Sequence, residues 1–197
     1  MKKKLINKLV IASNNKDKVK EIEGYLNKIN IETIPSYKLE VPEPKETERS
    51  FKGNALLKAS HTSKITKLTS IGDDSGLVIP SLNGEPGIFS ARWGGPKKDF
   101  TIAMKKVHRK LKGKNNFAWF VCSIALVFPN GNNKVFEGRV YGNLTWPPRG
   151  KNGFGYDPIF IPLGYKKTFG EMRKEFKENI SHRFIAFNQF FKMIKLN

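Results

Sequence analysis

Residues 71–93 read Ile-Gly-Asp-Asp-Ser-Gly-Leu-Val-Ile-Pro-Ser-Leu-Asn-Gly-Glu-Pro-Gly-Ile-Phe-Ser-Ala-Arg-Trp. At the head of this stretch, Gly72-Asp73-Asp74-Ser75-Gly76 sets two carboxylates and a hydroxyl between glycines. They stand where a short apolar strand, Thr69 to Gly72, reads as ending. Adjacent carboxylates repel, so a pair held at a strand end calls for a cation or proton donors to answer it. The flanking glycines allow a sharp turn or a close approach to a ligand. A divalent-metal site for phosphate chemistry has this composition, since Mg²⁺ takes one or two carboxylates and leaves other positions to water and phosphate oxygens. Asp, Ser and Gly also build ordinary polar turns, and so short a motif does not choose between the two readings. A serine-nucleophile loop is set aside, because no His or Asp partner stands at a supporting spacing.

Towards the N-terminus, Leu9-Val10-Ile11-Ala12 reads as a buried strand. Ser13-Asn14-Asn15 then supplies turn and cap residues for a helix to about Lys28, with Val19, Ile22, Leu26 and Ile29 as its apolar stripe. A strand feeding a helix through a polar loop offers free backbone N–H groups and a positive dipole end to an anion, and Lys16 and Lys18 add formal charge there. A plain capped strand–helix unit has the same sequence. Ile31 to Ile34 reads as a second strand, followed by a proline-broken acidic loop from Val41 to Glu48. Ser50 opens a helix to about Thr66 with Phe51, Ala55 and Ala59 along one face. Glu46 in its approach and Asn54 in its first turns can both face a cleft, while His61 is a surface residue.

Towards the C-terminus, Asp99 to Leu111 reads as a helix with His108 on its polar face. Phe117 to Phe128 is apolar at successive positions, the pattern of a strand covered on both sides, with Cys122 as a small buried hydrophobe. Pro129 to Asn133 makes a hairpin turn, and Lys134 to Val140 returns as an amphipathic strand. In Pro148-Arg-Gly-Lys-Asn-Gly-Phe-Gly-Tyr-Asp-Pro158, Gly150, Gly153 and Gly155 surround Phe154, an aromatic ring on a pliable loop where a planar base could stack. Those glycines do not form a dinucleotide fingerprint. Lys177 to Arg183 introduces a last helix, capped by Ser181 and with Phe184, Phe187, Phe191 and Ile194 as its core stripe. Ser181-His182-Arg183 offers donors to an anion or a carbonyl oxygen, or is simply a cap with two solvated side chains.

At 197 residues, with no internal repeat or linker, the chain reads as one α/β domain over 1–197. A single cysteine excludes an intrachain disulfide framework and suits a reducing compartment. No adequate signal segment and no membrane-length apolar run is present, so a cytoplasmic protein is expected. The net charge of +19 attracts polyanions, but lysine is spread along the whole chain, so the field is diffuse. A single-stranded nucleic-acid-binding module is the rival reading, with Phe154, Trp119 and Trp146 as stacking platforms. Against it, Glu46, Asp73 and Asp74 would repel a phosphate backbone, and Trp119 lies in a core-like run. Nucleic acid is therefore expected to bind only non-specifically, if at all.

Five blocks taken together carry a resemblance. They are SNNKDKVKEI (Ser13 to Ile22), ETERSFKGNALLKA (Glu46 to Ala59), GDDSGLVIPSLNGEPGIFSARW (Gly72 to Trp93), PRGKNGFGYDPIF (Pro148 to Phe160) and KENISHR (Lys177 to Arg183). In this order and spacing the chain resembles the inosine/xanthosine triphosphate pyrophosphatase family, which hydrolyses non-standard purine nucleoside triphosphates (ITP, dITP, XTP) to the monophosphate and pyrophosphate. The resemblance implies an elongated, two-lobed α/β fold: a central mixed β-sheet flanked by helices, and a substrate cleft between the lobes. It further implies a homodimer and a Mg²⁺ cofactor. It implies Asp74 as general base and metal ligand, Glu46 as the other Mg²⁺ ligand, and Asp73 beside them. Ser13, Asn14, Asn15, Lys16, Asp17, Lys18 and Ser75 match phosphate- and substrate-binding positions. Phe154, Gly155, Tyr156, Asp157, Lys177, His182 and Arg183 match base-recognition positions. Two residues depart from the pattern: Glu48 stands where the family commonly has glycine, and Gly53 where it commonly has glutamate.

Overall fold

The computed structural model describes residues 6–195. Its strands are β1 (Lys8–Ala12), β2 (Glu32–Pro35), β3 (Ser70–Val78), β4 (Phe117–Val127), β5 (Asn133–Leu144) and β6 (Phe160–Pro162). They form one sheet in the order β2-β1-β3-β4-β5-β6. β1 pairs in parallel with both β2 and β3, whereas β5 and β6 are antiparallel, so the sheet is mixed as expected. The helices are α1 (Lys16–Asn27), α2 (Phe51–Thr66), α3 (Phe100–Leu111), α4 (Lys174–Ile180) and α5 (His182–Lys195). Among the described residues no helix is long and apolar enough to cross a membrane.

The chain divides into two compact units, each drawn from separated stretches of sequence. The first takes Met1–Asp74, Ser123–Glu137 and Ala186–Asn197, and the second takes Ser75–Cys122 and Gly138–Ile185. In the first, Ala55 and Ala59 of α2 pack with Ala125 and Val127 of β4. In the second, Leu77, Met104, Val107, Phe120, Phe160 and Phe169 belong to one buried cluster.

Helix starts follow the sequence closely. The Asn15 side chain accepts from the Asp17 and Lys18 N–H groups, Ser50 from Gly53 N–H, and Asp99 from Thr101 N–H. Each cap satisfies a donor that the first turn leaves open, for about 0.5–2 kcal/mol. Ser181 accepts from Phe184 N–H at the start of α5, as expected. A separate helix, α4, precedes it where the sequence reading placed only an approach.

Two expectations are corrected. β3 does not end at Gly72: it runs on through both aspartates to Val78. Gly72 serves close packing instead of a turn, because a Cβ there would stand 2.6 Å from the Ala55 carbonyl oxygen. The buried face of α5 carries Arg183, Ala186, Phe187 and Phe190, while Phe184 and Phe191 are only half-buried. A buried arginine opens that stripe, and an apolar count misses it.

Candidate active site

In the first unit the register Val10↔Ser70, Ile11↔Ile71, Ala12↔Gly72 brings β1 to its end beside Gly72. Asp73 and Asp74 therefore lie just past the carboxyl end of β1, where open α/β sheets place their ligands. Both are buried. Lys18, near the start of α1, reaches Asp73 Oδ2 with its Nζ at 3.2 Å. Lys58, one turn beyond Asn54 on α2, places its Nζ 3.0 Å from Glu46 Oε1 and 3.4 Å from Asp74 Oδ1. Asn54 Nδ2 donates to the other oxygen, Asp74 Oδ2, at 3.2 Å.

Three carboxylates thus meet two ammonium groups, with Asp73, Asp74 and Lys58 buried and Glu46 and Lys18 half-buried. Burial holds the Asp74 carboxyl above its ordinary range, although Lys58 and Lys18 pull the other way. Burial also opposes the charge on Lys58, but Asp74, Asp73 and Glu46 outweigh it and hold the ammonium above the usual lysine value. A carboxylate with a raised pKa, kept ionised by neighbouring cations, suits the role of a base working near neutral pH.

The donor set also fits Mg²⁺. Glu46 and Asp74 share the Lys58 ammonium, so their oxygens stand close to one point. Hard oxygen donors of this kind are what Mg²⁺ takes, one or two from the protein and the rest from phosphate and water. Among the described residues no three His, Cys, Asp or Glu side chains gather as a metal-holding set, so a larger carboxylate cage is not built here.

The loop before α1 is less open than its sequence suggests. Asn15 spends its carbonyl on Asp17 and Lys18 N–H, and Ser13 Oγ accepts from Asn15 N–H at 3.2 Å. Asn14 Nδ2 donates to Glu43 Oε2, and Asn14, Lys16 and Asp17 are exposed. Of the six candidates Ser13 to Lys18, only Lys18 is tied to the aspartate pair by a contact described here.

In the second unit, the loop after β5 is closed on itself. Asp157 accepts from Lys177 Nζ at 2.6 Å and from Phe154 N–H at 2.8 Å. Gly153 sits at φ +74°, and a Cβ there would overlap the Asp157 carboxylate, so glycine is required. Lys177 Nζ lies 5.0 Å and the Arg183 guanidinium carbon 5.8 Å from the Phe154 ring centre. Arg183 Nη2 donates to Ser75 Oγ at 3.2 Å. His182 stacks on Phe120, with ring centres 4.9 Å apart. The structure thus brings together Ser75, Phe154, Asp157, Lys177 and Arg183. Tyr156 is spent on the core: its hydroxyl donates to the Ser90 carbonyl at 2.8 Å, and burial pushes the phenol well above its usual pKa. Of Tyr156 and Gly155, backbone is what remains for a ligand.

Lys58 lies within the Glu46 to Ala59 block but was assigned no role from sequence, and Asn54 was noted only as able to face a cleft. The signal was present in the spacing: Asn54 and Lys58 stand four apart beside Ala55 and Ala59, on the face that packs inward. His108, expected to be an ordinary polar-face residue, stacks on Trp146 with ring centres 4.3 Å apart.

The two departures are neighbours. A Cβ on Gly53 would stand 2.7 Å from Glu48 Cβ, so the Glu48 side chain fills the room that a residue at 53 would need. Gly53→Glu alone is expected to overpack this spot at about 1–3 kcal/mol, and Glu48→Gly with Gly53→Glu to restore the melting temperature. Thermal melts of wild type, single and double variants check this. A single variant melting with the wild type would show that the loop yields freely.

The chain matches the Ham1 family over residues 9–193. It is 50% identical over 183 residues to a dITP/XTP pyrophosphatase of Caulobacter vibrioides, covering 91% of this chain and 94% of that protein. It is 48% identical over 186 residues to a dITP/XTP pyrophosphatase of Rhodospirillum centenum, covering 92% and 91%. Among solved structures, a HAM1 protein from Coxiella burnetii superposes with a TM-score of 0.90 at 36% identity, covering 96% of this chain and 99% of that one.

Proposed function

The chain belongs to the Ham1 family, and from that premise we propose that it hydrolyses non-standard purine nucleoside triphosphates, dITP, ITP and XTP, to the monophosphate and pyrophosphate. The observation that carries the reading is the ion-paired cluster of Lys18, Lys58, Glu46, Asp73 and Asp74 past the end of β1. It joins cations for triphosphate oxygens to a carboxylate able to accept a proton.

In this account Asp74 takes the proton of the attacking water, whose oxygen bonds to the α-phosphorus as the α–β anhydride bond breaks. The leaving group is pyrophosphate. Lys18 and Lys58 balance charge developing on the phosphate oxygens, which matters most in phosphoryl transfer because positioning and electrostatics supply nearly all the catalysis. Ser13 to Lys18 and Ser75 serve the phosphates and sugar. Mg²⁺, which Glu46 and Asp74 would hold, supplies charge neutralisation on the triphosphate and a better leaving group. Asp73 fixes Lys18 through their ion pair.

The base falls to the second unit's cluster. Phe154 gives a ring to stack on, Lys177 and Arg183 stand beside it, and His182 and the loop backbone at Gly155 to Asp157 are the further polar candidates. Donors aimed at a 6-keto oxygen would face another donor when adenine's 6-amino group enters, and unpaired buried polar groups are costly. Arg183→Ala is therefore expected to lower the ratio of kcat/KM for dITP over dATP, not just the overall rate. Steady-state kinetics on both substrates, repeated with Arg183→Lys, tests it; an equal loss on both would move base recognition to other residues. A homodimer and a cytoplasmic setting complete the proposal, and a light-scattering mass about twice 22.4 kDa is expected.

A further inference from the structure

Asn54 is 1% exposed in the first turns of α2, and both ends of its amide are engaged. The Glu48 backbone N–H donates to Asn54 Oδ1 at 3.2 Å. Asn54 Nδ2 in turn donates to Asp74 Oδ2 at 3.2 Å. A backbone N–H can only donate, so it decides which end of the amide is oxygen and turns the NH₂ towards the aspartate. Lys58 holds the opposite oxygen of Asp74 at 3.4 Å, so the carboxylate is gripped on both sides.

We propose that Asn54 is a positioning residue for the hydrolytic reaction: the Glu48 N–H fixes the Asn54 amide, and that amide fixes the plane of the Asp74 carboxylate. The inference rests on Asp74 acting as the base. A general base works only within a narrow range of distance and angle to the water it activates, so locking its rotation raises turnover without adding a contact to substrate. The Glu48 side chain is no part of this relay. It is exposed, and only the backbone N–H reaches Asn54.

That division makes the test sharp. Glu48→Ala keeps the N–H, Glu48→Pro deletes it, and Asn54→Ala deletes the amide. With dITP as substrate, Asn54→Ala is expected to lower kcat by about 10–100-fold, the usual scale for losing a group that orients a catalytic ligand, with KM near the wild-type value. Glu48→Pro should lower kcat in the same direction, and Glu48→Ala should not. The double variant Glu48→Pro with Asn54→Ala should be no slower than Asn54→Ala alone, because the two act through one hydrogen-bonded chain. Melting temperatures accompany each measurement. If Asn54→Ala does not fold, the Glu48→Pro and Glu48→Ala pair decides, since Asn54 is intact in both. Equal kcat in that pair, losses that multiply in the double variant, or a change confined to KM would overturn the relay. A wild-type protein without dITP turnover would instead overturn the hydrolase reading beneath it.

Discussion

Asp74→Asn is expected to lower dITP turnover by roughly 10²–10⁴-fold, the contribution of a well-placed general base, while the protein stays folded. The substitution keeps shape but removes basicity, and one end of the new amide turns an NH₂ onto a donor, either Lys58 Nζ or Asn54 Nδ2. Stability should change little, the relief of a buried charge offsetting one lost hydrogen bond and the lost Lys58 partner. Burial raises the Asp74 pKa, so its ionised form is less favourable folded than unfolded, and the stability linked to this group is lost as pH rises through the folded value. Removing the charge removes that loss. Wild-type kcat/KM should fall on the acid side with a midpoint above the ordinary aspartate value of about 3.9, because the base must be deprotonated to act. A variant with near-normal turnover would end the assignment.

Lys58→Met should combine a large loss of turnover with a large loss of stability. It leaves Glu46, Asp73 and Asp74 with Lys18 as the remaining cation of the described cluster. Breaking a buried ion pair from one side costs about 3–5 kcal/mol, which in a chain of this size corresponds to roughly 6–20 °C in melting temperature. The sign of its pH dependence follows from the partners. Without Lys58 the Asp74 pKa rises further, so protonation relieves the repulsion as pH falls. The deficit against wild type should therefore be larger at pH 8 than at pH 5. Melts at the two pH values check it, and a deficit independent of pH would mean that Lys58 contributes packing alone.

The helix starts were legible because a cap announces itself in one residue: Asn15, Ser50 and Asp99 each stand at the position that the sequence marks. Asp74, Glu46 and the Phe154 loop stood out by residue type and spacing, and the family blocks then assigned them roles. Lys58 was not legible by composition, being one of 36 basic residues, and only its place among Ala55, Asn54 and Ala59 distinguishes it. The continuation of β3 was hidden for a different reason. Gly72 looks like a turn residue, but its need comes from the Ala55 carbonyl of a helix contributed by another stretch of chain. The two-unit division leaves no compositional trace, because β3, β4 and β5 each give residues to both units. Tyr156 shows the opposite hazard: it sits inside a base-recognition block, yet its side chain serves Ser90.

The most direct test of the central claim is the identity of the products when purified protein is incubated with dITP and Mg²⁺. Phosphorus NMR separates the possibilities in one spectrum. The account predicts deoxyinosine monophosphate and pyrophosphate in equal amounts, from cleavage of the α–β bond, with turnover lost in Asp74→Asn. Deoxyinosine diphosphate and inorganic phosphate, or no turnover of dITP at all, would contradict it.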